Sequence, residues 1–188
     1  MTHNIGWPLI TTRQRSANQL RIGVFAASAL LLASMFVLLS PQKSLAQELA
    51  RDSASVIMYH RFGEDRYPST NIRIPQFEEH LALLTNGNYT VLPLPEIIKT
   101  LQAGGTLPDR TVAITIDDAY LSVYEQAWPR LKELGLPFTI FVATNPVEKN
   151  RRGYMSWDML RELQSQGVTI GSQTHTHPHL HRKSAEQV

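Results

Sequence analysis

The feature that most limits the fold is a regular alternation in the second half of the chain. VAITI (112–116), FTIFV (138–142) and VTIGS (168–172) are β-branched and aromatic runs of strand type. After the first of them, Tyr120, Tyr124, Ala127, Leu131 and Leu134 recur at helical spacing and form an apolar stripe. Gly135 should stop that helix, and Pro129 should kink it. Ser156 is a suitable N-cap for a second helix that ends at Gly167. Strand, helix, strand, helix, strand at this spacing predicts βαβ units and a parallel sheet. Upstream, Val56–Tyr59 reads as a strand and the polar stretch 60–75, with Pro68 and Pro75, as a loop. Phe77, Leu81 and Leu84 predict a helix over Gln76–Leu84, and a shorter one falls near Glu96–Gln102. LHRKSAEQV, at the end, resembles a helix start, with Ser184 and Gln187 as a capping box. These elements supply about five strands, where a closed βα barrel needs roughly seven or eight. The expectation is an α/β chain that is a fragment of a longer one.

Residues Ile22–Leu39 carry no charge and follow three arginines. Two membrane readings fit. One is a signal peptide cleaved after Ser44-Leu45-Ala46, before Gln47. The other is an apolar helix retained as an inner-membrane anchor. Either way the arginines stay in the cytoplasm and the body is exported to the periplasm or beyond, so membrane contact is confined to residues 22–39. The net charge of +2 conceals this division. The first 46 residues hold Arg13, Arg15, Arg21 and Lys43 and no acid, while the other 142 hold 14 basic and 16 acidic side chains. That balance argues against a nucleic-acid partner. The lack of cysteine excludes disulfides and thiolate metal sites.

In parallel βα sheets, function gathers at the carboxyl ends of strands. Two strand ends are unusually polar. Asp117-Asp118 follows VAITI, and GSQTHTHPHLH, with His175, His177, His179 and His181, follows VTI. Adjacent carboxylates leaving an apolar strand repel one another, and a bound cation relieves that cost. Asp118 as a mere helix cap is the plainer alternative. Imidazole with carboxylate suits zinc and similar divalent ions. Asp118 and a histidine as ligands, with Asp117 as the proton acceptor, make a workable hydrolytic site.

VIMYHRFG, FEEHLALL, AITIDDAY and SWDMLRELQSQGVTIGSQTHTHP together resemble the polysaccharide deacetylases of the NodB-homology type, carbohydrate esterase family 4, over about residues 55–188. The resemblance implies a distorted (β/α) barrel, here incomplete and preceded by the N-terminal apolar helix. It divides the chain into a leader or anchor (1–46), an N-terminal segment (47–109) and a truncated NodB-homology domain (110–188). It also implies removal of N-acetyl groups from poly- or oligosaccharides of N-acetylglucosamine with a divalent metal, most commonly zinc. The family's first motif falls on Thr115-Ile116-Asp117-Asp118-Ala119, making Asp117 the base and Asp118 a metal ligand. Ala119 stands where the family has glycine. The second motif, aligned on Ile170-Gly171-Ser172 and Pro178, puts Gln173 and His177 at its ligand positions, so the first histidine is replaced. A register slipped by two residues would use His175 and His179 instead. Tyr120 and His60, the latter in the Tyr-His of the exported members, become candidate substrate-binding residues. The family's later motifs do not appear, and the resemblance implies that they would be expected after residue 188.

Two other functions compete with the enzyme. A non-catalytic carbohydrate-binding or scaffold protein would follow from the altered ligand and the missing motifs. An exported histidine-rich metal-binding protein would take up metal whether or not Asp118 is present.

Overall fold

The computed structural model describes residues 52–187. The apolar segment Ile22–Leu39 and the cleavage site before Gln47 lie outside them. Among the described residues, no helix is long and apolar enough to cross a membrane. The chain begins with β1 (Ser55–Tyr59), a short parallel pair β2 (Arg61–Phe62) and β3 (Asn71–Ile72), and helix α1 (Ile74–Asn86). Next come β4 (Thr90–Val91), α2 (Leu94–Gln102) and β5 (Thr111–Asp117). A π-helical turn (Val123–Ala127) then leads into α3 (Trp128–Glu133), followed by β6 (Thr139–Val142), α4 (Thr144–Glu148), α5 (Trp157–Ser165) and β7 (Thr169–Ser172).

Five strands form one sheet, and every pairing in it is parallel. The order runs β1-β5-β6-β7, with β4 beside the first two residues of β5. Tyr59 pairs with Ile116, Asp117 with Phe141, and Val142 with Ser172. These registers bring the carboxyl ends of four strands to one edge. The expected parallel α/β architecture is present.

β5 is buried on both faces, as a continuous β-branched run requires. Val112, Ile114 and Ile116 enter the main core with Phe62, Phe77, Leu131, Ile140 and Leu163. Ala113 faces a smaller cluster with Ile97 of α2 and Leu107. Helix α1 buries Phe77, Leu81 and Leu84, the three positions its spacing picked out.

The segment after β5 departs from a simple amphipathic helix. Val123, Ala127 and Leu131 are fully buried, whereas Leu134 is largely exposed. The reason is the π turn, in which the Trp128 N–H reaches back to the Val123 carbonyl. The extra residue per turn rotates the face that meets the sheet, and the turn sits directly before Pro129, which has no N–H to give. Gly135 and Gly167, both at positive φ, end their helices as expected. Leu136 N–H and Val168 N–H then close back onto the carbonyls of Leu131 and Leu163. Ser156 caps α5, its hydroxyl accepting from Met159 N–H at 3.3 Å.

Four elements have no counterpart in the sequence reading. These are the β2–β3 pair within the stretch read as a loop, the two-residue strand β4, and the short helix α4. At the end of the described chain, half of the capping box forms. Gln187 Oε1 accepts from Ser184 N–H at 3.2 Å, over a single 3-10 turn.

Candidate active site

Asp117 is the last residue of β5. The Asp118 N–H continues the ladder by donating to the Phe141 carbonyl at 2.9 Å. The chain then turns sharply, with Asp118 at φ 71° and Ala119 at φ 55°. Two consecutive non-glycine residues in the left-handed region cost roughly 1–2 kcal/mol each. The turn is held by its surroundings. Ala119 is fully buried, and its carbonyl accepts from Met155 N–H at 2.9 Å. Leu121 N–H donates to Gly153 O, and Tyr120 bridges to Tyr154. Alanine in place of the family's glycine thus sits at a positive φ.

The second polar strand end is built differently. Gln173 N–H extends the β7–β6 ladder to the Val142 carbonyl at 2.9 Å. Thr174 takes φ 64° and its Oγ1 accepts from His177 N–H at 3.1 Å, while His177 itself takes φ 51°. This small turn is tied to the start of α4, since Thr144 N–H and Asn145 N–H donate to the carbonyls of Thr174 and His175.

Four sequence candidates converge on Asp117 and Asp118. His177 Nε2 lies 3.8 Å from Asp118 Oδ1, and His60 Nε2 lies 4.0 Å from Asp117 Oδ2. Gln173 Nε2 donates to Asp117 Oδ2 at 3.1 Å, and Gln173 Oε1 accepts from Asp118 N–H at 3.2 Å. Burial, followed by the neighbouring Tyr154 and Asp118 side chains, holds the Tyr120 hydroxyl far above the usual phenol range. Burial also pushes the Asp117 carboxyl upward, and Asp118 adds to the rise. His60, the Gln173 hydrogen bond and His177 pull it back.

The remaining histidines lie elsewhere. His175 faces α4, its Nδ1 2.9 Å from Thr144 Oγ1 and its Nε2 3.1 Å from Asn145 Nδ2. His179 is exposed and packs its ring near His181.

One neighbour of the site went unnoticed in the sequence. The Arg61 guanidinium lies between the rings of Tyr67 and Tyr120, 3.9 and 3.3 Å from their centroids, and pairs with Glu64 at 2.9 Å. Glu64 in turn accepts from the Ser122 hydroxyl at 2.6 Å. The only hint was that Arg61 follows His60; the partners lie too far along the chain for spacing to reveal them.

The donors suit a divalent ion in part. Zinc with nitrogen and oxygen ligands at about 2.0–2.2 Å in tetrahedral geometry sets them roughly 3.4 Å apart. Asp118 Oδ1 and His177 Nε2 are a few tenths of an ångström wider than that. Among the described residues, no three His, Asp or Glu side chains form a metal cage. The third neighbour is the Gln173 amide.

Residues 104–188 match the family model for polysaccharide deacetylase. Over 134 residues the chain is 27% identical to YxkH of Bacillus subtilis (strain 168), covering 70% of this chain and 46% of that protein. It is 28% identical over 164 residues to the poly-beta-1,6-N-acetyl-D-glucosamine N-deacetylase of Staphylococcus aureus (strain MSSA476), covering 77% of this chain and 54% of that protein. Among solved structures it is similar to IcaB from Ammonifex degensii, with 30% identity and a TM-score of 0.58 over 72% of this chain and 57% of that one. The chain thus spans about half the length of the curated relatives it matches.

Proposed function

With residues 104–188 a polysaccharide deacetylase region, we propose that the protein removes N-acetyl groups from an N-acetylglucosamine-containing poly- or oligosaccharide with the help of a divalent metal. The observation that carries this reading is the meeting of Asp117, Asp118 and His177 at the ends of β5 and β7. Asp118 and His177 would hold the ion. Such an ion supplies a lowered pKa for water and polarisation of the acetamide carbonyl.

The chain's own residues have separate tasks. Asp117 accepts the proton of the attacking water, and its partial burial favours a basic carboxylate. Its Oδ2 accepts from Gln173 Nε2 at 3.1 Å, and Oδ1 is the oxygen assigned to that proton. His60 flanks the same carboxylate. The Tyr120 hydroxyl, kept protonated, remains a hydrogen-bond donor beside the sugar site. The parallel sheet is, on this reading, part of a (β/α) barrel. Residues 1–46 would export or anchor it, which a reporter fused after residue 60 tests; cytoplasmic activity of that reporter would refute export.

The experiment is a paired substitution in the full chain. Asp118→Ala should lose metal, measured by elemental analysis. Asp117→Asn should keep metal and lose acetate release by about 10²–10⁴-fold. Equal metal loss in both would overturn the roles. Metal binding without acetate release in the unaltered chain would favour the non-catalytic reading.

A further inference from the structure

The orientation of Gln173 carries an inference about the metal. One end of its amide meets a carboxylate and the other meets a backbone N–H. Reversed, the amide oxygen would face the Asp117 carboxylate and the NH₂ would face the Asp118 N–H, two repulsive contacts in place of two hydrogen bonds. The oxygen is therefore the atom turned to the Asp118 backbone N–H, one residue's length from the carboxylate that would hold the ion. It is not fully committed there, because the Asp118 N–H already has a shorter bond to the Phe141 carbonyl, at 2.9 Å against 3.2 Å. A carbonyl oxygen also has a second lone pair.

We propose that Gln173 contributes its amide oxygen to the metal site, giving two oxygen donors and one nitrogen, and that this shifts selectivity from zinc toward harder divalent ions such as manganese. The proposal rests on the reading that Asp118 and His177 hold a metal. Carboxylate and carbonyl oxygens suit manganese and magnesium, while imidazole favours zinc, nickel and copper. Zinc remains the stronger binder in absolute terms, as the general order of divalent affinities dictates. What Gln173 changes is the ratio.

The test uses the full chain and two metals without any turnover assay. Manganese binding is followed by the loss of the free-ion electron paramagnetic resonance signal, and zinc binding by competition with a chromophoric chelator. Gln173→His should raise the zinc-to-manganese affinity ratio by about tenfold to a hundredfold. Gln173→Ala should weaken manganese more than zinc, with circular dichroism confirming that both variants fold. A ratio that moves less than about threefold in both variants, with binding still lost in Asp118→Ala and His177→Ala, would overturn the proposal and leave the metal site standing. Binding that is absent, or indifferent to Asp118 and His177, would overturn the metal reading itself and this inference with it.

Discussion

The two strand ends that form the site are held by different means. Asp117 and Asp118 leave a strand whose preceding residues are all buried, and their side chains are about 15% and 14% exposed. His177 leaves the last strand of the sheet order, and its side chain is 54% exposed. The carboxylates are positioned by the hydrophobic core beneath them. The histidine is positioned by a threonine hydroxyl and a few backbone bonds to α4. The acid side of the site rests on the buried strand beneath it, whereas the imidazole side rests on a few polar bonds near the surface.

The strongest way to break this contrast is to damage the core under the carboxylates. Ile116 is fully buried directly before Asp117. Ile116→Ala should cost about 2–5 kcal/mol in denaturant unfolding. A loss below about 1 kcal/mol would show that the core does not support this turn as described.

Next in size is the carboxylate itself. Because burial raises the Asp117 pKa, the folded state favours the protonated form. That contribution is complete below the unfolded carboxylate pKa and is lost as pH rises through the raised folded value. With metals removed by a chelator, Asp117→Asn should stabilise the protein at neutral pH, by less than the core substitution costs. It should also flatten the decline of stability across the mildly acidic range. A variant less stable than the parent at neutral pH would contradict the stated cause of the shift.

Ala119→Gly sets two opposing effects against each other. Relief of the left-handed backbone favours glycine by about 1–2 kcal/mol. The lost methyl and the greater freedom of the unfolded chain oppose it by about 0.8 and 0.5–1 kcal/mol. The net change in thermal unfolding should stay within about 1 kcal/mol. A larger loss would mean that packing of the methyl against its neighbours dominates the turn.

The smallest effect belongs to the histidine side. Thr174→Ala removes the acceptor of the His177 N–H. Its effect on global stability should stay within about 0.5 kcal/mol, while the His177 amide exchanges faster. Unchanged exchange would show that this hydroxyl does not hold the turn.

The same contrast explains what could be read from the residues. β5 was legible because a strand buried on both faces must be a β-branched run, and VAITI is one. Asp117, Asp118 and the glycine-like position of Ala119 were legible because they adjoin that run. Helix α1 was legible from Phe77, Leu81 and Leu84. The partners of Asp117 were less so. Gln173 could be placed beside it only through the flanks Ile170-Gly171-Ser172 and Pro178, and no local rule brings His60 within 4.0 Å of it. The π turn was hidden because the 4-3-4-3 spacing of Tyr120 to Leu134 fits an ordinary helix equally well. Arg61 was missed because its two rings come from Tyr67 and Tyr120, one of them 59 residues away. His175 looked as able to bind a metal as His177, and only the bonds of the loop to Thr144 and Asn145 separate them.

On the reading of the sheet as part of a (β/α) barrel, β1 is where that barrel would close. It is the first strand in the sheet order, and among the described residues it pairs along its length with β5. On it, Val56 and Met58 are 53% and 60% exposed. Apolar side chains at that place are what a neighbouring strand or helix of such a barrel would cover.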